Sequence, residues 1–174
     1  MPDNPIIESI RLKVLEQIDK TEHLIQLIPP DLIAWSPQWS SGSFDVGHLL
    51  GHLLECFAGF CSVFYAAFPQ QFEDALTLRS LPVNHFCKPE EAIARVLVYK
   101  KYIEAGFDLC GDADLERMLP THFVPAESVM TLLLGNLEHT VNHKYQLFAY
   151  LKMLGVPVGT RDLYVWRGSE ESTY

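Results

Sequence analysis

The chain has 174 residues, of which 48% are hydrophobic and 20% are charged. It is long enough to bury a core of its own and too apolar for a disordered chain, so we expect a single domain over residues 1–174. A formal net charge of −9, with no local run of Lys and Arg, disfavours nucleic acid as a partner.

Targeting and cysteine patterns indicate a reducing compartment. No run reaches eighteen uninterrupted apolar residues, and the N-terminus carries acidic residues where a secretory signal has basic ones. We therefore expect a cytoplasmic protein that does not span a membrane. Without a C-x-x-C pair, the cysteines are interpreted as small buried hydrophobes and not as a disulfide or zinc framework; they are Cys56, Cys61, Cys87 and Cys110.

Hydrophobic periodicity predicts a first helix in "NPIIESIRLKVLEQIDKTEHLIQLIPP", where isoleucine and valine recur every three or four positions. Pro29 and Pro30 end it. Its polar side is predicted to carry Arg11, Lys13, Glu16, Lys20 and His23. A second helix is predicted from about Asp45 to Phe68, with a cap at Ser41, Ser43 or Asp45. Because this helix is apolar on nearly every side, we expect it at the centre of the fold.

Two further helices follow. The third is predicted to begin near Pro89 and to end between Gly106 and Gly111. The fourth opens at Glu127 or Ser128 and ends at Gly155. After it, an apolar patch from Leu163 to Trp166 is expected to pack back onto the body. Four long helices without a convincing strand predict an all-α fold, an antiparallel four-helix bundle, although spacing alone leaves the helix order open.

Two pairs of histidines interrupt the apolar helices. His139 and His143 stand four residues apart on the fourth helix, and His48 and His52 repeat that spacing on the second. This spacing presents two imidazoles on one face of a helix, as in helical metal sites. Glu55 lies three residues beyond His52, on the same side.

Burying these four histidines without partners would cost several kcal/mol, so they need hydrogen-bond acceptors or a shared cation. Three neutral imidazoles on one divalent ion would leave a coordination position for water or substrate, as in catalytic sites. The alternative is that they are hydrogen-bonded core residues. The histidines without such a context are left out of the predicted site: His23, His85 and His122.

Neighbouring polar residues have open roles. Gln146 and Asn142 could donate hydrogen bonds around the site or be tolerated at its boundary. Glu55 could orient an imidazole, act as a base or pair with a lysine. Tyr150 and Met153, on the same stripe of the fourth helix, are interpreted as core residues.

The run "HTVNHKYQLFAYLKMLG" resembles the C-terminal helix of the DinB-like (DinB/YfiT) family, and "DVGHLLGHLLE" resembles the second helix of that family. The resemblance implies a four-helix bundle of the up-down-down-up kind that holds a divalent metal, often nickel or zinc, through three histidines. Residue by residue, it places these ligands at His52, His139 and His143, with His48 as a fourth candidate. The sequence departs from many relatives at Lys144 and Tyr145, where an Arg-Gly pair is usual.

The resemblance also implies a function. Characterised relatives include metal-dependent transferases and isomerases that use low-molecular-weight thiols, and relatives often form homodimers. We therefore expect a metal-dependent enzyme acting on a small molecule, of the thiol S-transferase type. The alternatives are hydrolysis by a metal hydroxide, or a small-ligand binding or sensor module without turnover. The only candidate for a catalytic base is Glu55.

Overall fold

The computed structural model describes residues 4–38, 42–121 and 124–164. Most of this part is helical, and the predicted all-α bundle is confirmed. The long helices are α1 (Pro5–Gln26), α2 (Val46–Ala67), α3 (Pro89–Leu109) and α4 (Val129–Met153), followed by a short α5 (Thr160–Tyr164). Short 3₁₀ helices lie in the connectors at Pro30–Leu32, Glu73–Ser80 and Asp112–Glu116. A two-residue antiparallel ladder pairs β1 (Met118–Leu119) with β2 (Glu127–Ser128), and no sequence pattern predicted it.

Side-chain caps set the start of two helices. Asp45 accepts a hydrogen bond from the backbone N–H of His48, and Ser128 accepts one from Thr131. Each satisfies a backbone donor that the first turn of a helix leaves unpaired. Asp45 is thus the cap among the predicted candidates, of which Ser41 lies outside the described residues. Gly155 adopts a φ of +78° after the end of α4, as a helix-terminating glycine does.

Contacts between helices give their order and direction. α1 runs antiparallel to α3, because Arg11 pairs with Asp108 near one end and Asp19 pairs with Lys100 further along. α2 and α3 run parallel: Cys61 contacts Tyr99 and, one turn later, Phe64 packs on Gly106. This parallel pair is possible because the connector between α2 and α3 is long enough to return to the starting end.

The fourth helix completes the arrangement. α4 is antiparallel to α2, since His52 near the start of α2 meets His143 while Gly59, two turns later, meets Asn136. With α1 up, α2 and α3 run down and α4 runs up. The up-down-down-up order implied by the family resemblance is confirmed.

The helix α2 forms the centre of the core. Its leucine and phenylalanine side chains are inaccessible to solvent; they include Leu49, Leu50, Leu53, Leu54, Phe57, Phe60 and Phe64. By length and composition α2 could cross a membrane, but 61% of its most apolar stretch is buried inside the bundle. Packing against α3 and α4 accounts for its apolar character. The cytoplasmic location stays a prediction.

The short helix α5 corrects the predicted polar side of α1. His23 and Lys20 were both placed on that side, yet each is at most 9% exposed. The Nε2 atom of His23 lies 2.8 Å from Asp162, and Lys20 donates to the carbonyl oxygen of Tyr164. α5 covers this face because Leu163, which is 4% exposed, packs into the core. The predicted packing of the tail is confirmed for Leu163 but not for Tyr164, which is 64% exposed, and residues 165–166 lie outside the described residues.

The connector before α3 lies directly on α2 at two glycines. The backbone N–H of Asn84 donates to the carbonyl of Gly51 at 3.0 Å, and the N–H of Cys87 donates to that of Gly47 at 3.0 Å. A β-carbon on Gly51 would overlap the backbone of His85, so only glycine allows this approach. Asn84 adopts a φ of +54°, a left-handed conformation that asparagine tolerates better than most residues. The connector is therefore held at one fixed distance from α2.

We expect Gly51→Ala to destabilise the protein by about 3 kcal/mol, the upper end of the cost of overpacking. Gly135→Ala is the matched control, because nothing lies within 4 Å of a β-carbon there. Alanine should stabilise that helical position by about 0.5 to 1 kcal/mol. Urea unfolding of both variants measures the difference, and equal stabilities would contradict the close packing at Gly51.

Candidate metal centre

The antiparallel packing of α2 on α4 brings together three of the four histidines singled out in the sequence. The Nε2 atom of His52 lies 3.1 Å from the Nε2 of His139 and 3.1 Å from the Nε2 of His143. His139 and His143 are one turn apart on α4, and their ring centres are 4.8 Å apart. All three side chains are partly buried, and together they form a group that could hold a metal ion.

His48 does not join this group. Its side chain is 48% exposed, and its Nδ1 atom lies 2.9 Å from the carboxylate of Asp45. Its ring meets Phe86 of the connector edge-on, with centres 5.5 Å apart. The turn that separates His48 from His52 therefore points its imidazole at the helix cap and away from α4.

The imidazole of His52 is held on its other edge by two acceptors. Its Nδ1 atom lies 2.6 Å from the amide oxygen of Asn84 and 3.1 Å from the carboxylate of Glu55. Because an amide oxygen and a carboxylate only accept, Nδ1 carries the proton. The Nε2 atom of neutral His52 is then a bare lone pair directed at His139 and His143.

A chain of hydrogen bonds orients His143 in the same way. The hydroxyl of Tyr150 donates to the backbone carbonyl of Phe44 at 3.1 Å and accepts from the Gln146 amide nitrogen at 2.9 Å. This turns the Gln146 oxygen toward the Nδ1 atom of His143, 2.9 Å away. Gln146 therefore accepts from the ligand candidate, whereas the sequence suggested a donor. Tyr150 is buried, as expected of a core residue, but its hydroxyl also sets this chain. The same prediction is wrong for Met153, which is 44% exposed near the end of α4, and Asn142 is exposed as well.

Glu55 lies on the outer edge of His52. Its carboxylate contacts Nδ1, and the atoms that converge on α4 are on the opposite side of the ring. Of the roles left open by the sequence, this position suits orientation of the imidazole. The side chain is 42% exposed, which keeps the carboxylate hydrated.

An aromatic ring closes one side of the group. Phe44 stacks on His52 with ring centres 5.0 Å apart and an angle of 29°, and it meets His143 edge-on at 6.3 Å. Trp35 packs edge-on against Tyr150 at 5.3 Å and supports the same corner. These rings restrict the imidazole orientations and exclude water from that side.

Burial keeps the α4 imidazoles neutral. Burial lowers the pKa of His139, and the neighbouring His52 lowers it further. Burial also lowers the pKa of His143, against the opposing effect of its hydrogen bond to Gln146. Neutral imidazole is the form that binds metal, so these pKa values favour a ligand role near pH 7.

With all three imidazoles neutral, the three Nε2 atoms cannot satisfy one another. At most one contact can then be a hydrogen bond, through a proton on the Nε2 of His139. The contact between His52 and His143 then places two lone pairs 3.1 Å apart, because both Nδ1 atoms hold their protons. Such a contact is repulsive unless a cation lies between the atoms. The donor set and its hydrogen bonds therefore fit a divalent metal ion.

Two solved structures resemble this arrangement of helices. A DinB-like protein from Bacillus subtilis, YjoA, matches with a TM-score of 0.64 and 20% identity, over 84% of this chain and 92% of that one. A protein from Exiguobacterium sibiricum, proposed as a member of the DinB family, matches with a TM-score of 0.59 and 21% identity, over 90% and 96%. The chain has the DinB-like fold. No protein-family model matches the sequence, and no curated protein does.

Sequence analysis missed two residues of the DinB-like bundle that contact the histidines, Asn84 and Phe44. Both lie in connectors, where periodicity carries no information about position. A signal for Asn84 was present in "DVGHLLG", because glycines four residues apart on an apolar helix allow another backbone to approach closely. No comparable signal marks Phe44.

In the metal-free protein, we expect His139 and His143 to titrate below pH 6.5. As pH falls, the unfolded chain takes up these protons before the folded chain does. The free energy of unfolding should therefore decrease as the pH is lowered through about 6.5. NMR titration and urea unfolding at several pH values measure both effects. His139→Asn should flatten the pH dependence, and titration above pH 6.5 would contradict the burial of these rings.

Proposed function

We propose that the chain binds one divalent metal ion through the Nε2 atoms of His52, His139 and His143, and that it is a metal-dependent enzyme acting on a small molecule. The observation that carries the proposal is the pair of fixed tautomers. Asn84 and Gln146 hold protons on the outer edges of His52 and His143, which leaves their lone pairs facing each other. A shared cation removes that repulsion.

Nickel or zinc suits the donor set best. Imidazole nitrogen is a ligand that both ions accept, and no carboxylate joins the inner group to favour magnesium or calcium. Three protein ligands leave a coordination position for another molecule, as in catalytic zinc sites. The family resemblance points to the same two metals.

The surrounding residues would support catalysis by orientation. Asn84 and Glu55 hold His52, and Gln146 holds His143, so the imidazoles need no reorganisation when a ligand arrives. Phe44 shields one side from water. The bound ion would supply a Lewis acid that lowers the pKa of a thiol or a water molecule. Thiol S-transfer is the favoured reaction class because of the family resemblance, and hydrolysis is the competing one.

Elemental analysis of tag-free protein should find at least one equivalent of nickel or zinc. His52→Ala, His139→Ala and His143→Ala should each hold one equivalent less than the wild type, because each removes one of three ligands. His48→Ala is the matched control and should keep the metal, since this exposed residue contacts Asp45 and not the group. Circular dichroism of each variant checks that the helices remain.

A variant that should weaken metal binding without abolishing it tests the role of Asn84. Asn84→Gly removes the acceptor on His52 but tolerates the positive φ, so the fold should persist. Metal affinity should fall about 10- to 100-fold, as when other residues that orient a metal ligand are removed.

Equal metal in wild type and all three histidine variants, or none in the wild type after reloading, would refute the metal site.

Activity is tested by following consumption of a small thiol with an electrophile in the presence of metal-loaded and metal-stripped protein. The loaded form should be faster, and reloading should restore the stripped form. The protein's own cysteines should consume little of the electrophile, because the thiolate is the reactive form. Burial raises the pKa of Cys56 and Cys61 to about 12 and of Cys110 to about 11. Equal rates in both forms would exclude thiol transfer and favour hydrolysis or a binding module.

A further inference from the structure

A second set of potential metal ligands lies in the connector before α3. His85, Cys87 and Glu91 each offer a nitrogen, sulfur or oxygen atom, and these atoms lie within 4.8 Å of one another. None of them belongs to the histidine group between α2 and α4. His85 was left out of the predicted site because it lies in a connector, and Cys87 was interpreted as a small buried hydrophobe because no C-x-x-C pair is present.

The connector geometry creates this set. His85 and Cys87 are two residues apart in a segment without helical structure, fixed on α2 by backbone hydrogen bonds to Gly51 and Gly47. Glu91 lies in the first turn of α3, where Pro89 starts the helix. The turn from connector into α3 thus folds the carboxylate back over the two preceding side chains.

Besides the ion pair between His85 and Glu91, the group contains two further polar atoms, the second ring nitrogen of His85 and the sulfur of Cys87. The Nε2 atom of His85 lies 2.9 Å from the Glu91 carboxylate. Its Nδ1 atom is buried and has no hydrogen-bond partner within the described residues. Cys87 is inaccessible to solvent, and its thiol donates to the carbonyl of Lys88 at 3.5 Å and interacts with the Glu91 carboxylate. The three side chains thus converge on one another, and one buried ring nitrogen stays without a partner.

Arg95 lies near the Glu91 carboxylate but does not donate a hydrogen bond to it. Its terminal nitrogens donate to the carbonyl of Pro82 at 2.6 Å and to the hydroxyl of Tyr99 at 2.6 Å. The distance from Arg95 to Glu91 is 3.9 Å, too long for a hydrogen bond. The Glu91 carboxylate thus pairs with His85, lies at ion-pair distance from Arg95, and has no hydrogen bond from Arg95 that would prevent it from serving a cation together with His85.

We infer that His85, Cys87 and Glu91 form a second divalent-cation site, separate from the histidine centre. Its mixed nitrogen, sulfur and oxygen donors suit a borderline-soft ion such as Zn²⁺. Asn84 precedes His85 directly, so an ion here holds the segment that orients His52. The site has a structural role: it secures the connector against α2.

Binding releases a proton. Burial raises the pKa of the Cys87 thiol to about 12, so the thiol is protonated near pH 7. The thiolate is the form that binds metal. Forming the sulfur–metal bond therefore sends the thiol proton to solvent, and metal uptake at this site becomes less favourable as pH falls.

Cobalt provides a probe that separates the two sites. Co²⁺ bound by a thiolate has a sulfur-to-metal charge-transfer absorption, and a site of three imidazoles has none. The metal-stripped full chain titrated with Co²⁺ should bind two ions and show the sulfur absorption. Cys87→Ser should bind one ion without it, and Cys110→Ser, the matched control at another buried cysteine, should match the wild type.

Further variants keep the outcomes distinct. His139→Ala should lose one ion and retain the sulfur absorption, which reports the second site even if the histidine centre fails. Glu91→Gln alters a half-exposed side chain, so it should fold and weaken the sulfur-ligated ion at least about tenfold, as loss of a metal-supporting group does. No sulfur absorption in the wild type, or one that survives in Cys87→Ser, would overturn the second site.

Discussion

The contact of the connector before α3 with α2 is the constraint on which the rest of the site depends. Gly47 and Gly51 lack side chains, so the backbone of residues 84–87 can donate hydrogen bonds directly to the helix. This fixes Asn84 on the outer edge of His52 and turns His85 and Cys87 toward Glu91. One close approach between backbones therefore orients His52 in the histidine centre and assembles the second group.

The histidine centre shows how a largely apolar bundle can contain polar groups. The outer polar groups around the centre have acceptors: Asn84 and Glu55 for His52, Gln146 for His143, and the carbonyl of Phe44 for Tyr150. Within this part of the bundle, the polarity left over is concentrated where three nitrogen atoms meet. An arrangement that satisfies its outer atoms and leaves the inner ones converging could hold a cation.

Most of the fold could be predicted from the sequence because it depends on local patterns. Periodicity predicted the four long helices, and Asp45, Ser128, Pro89 and Gly155 marked their ends. The buried and exposed sides of α1 were harder to predict. Lys20 and His23 are polar residues that α5 covers, and no local pattern reveals a contact with a segment about 140 residues away. The histidines on α2 and α4 were recognisable by their spacing, but not which of His48 and His52 faces α4.

The sequence by itself determined the helices, their caps and the pairs of histidines, because these follow from the period of the helix and from the chemistry of single residues. Only the tertiary structure decided that His52 meets His139 and His143, that Asn84 and Phe44 support them, and that Cys87 lies beside Glu91. These relations depend on the direction in which helices pack and on the path of connectors. Both are set by the burial of the whole core, which no short stretch of sequence contains.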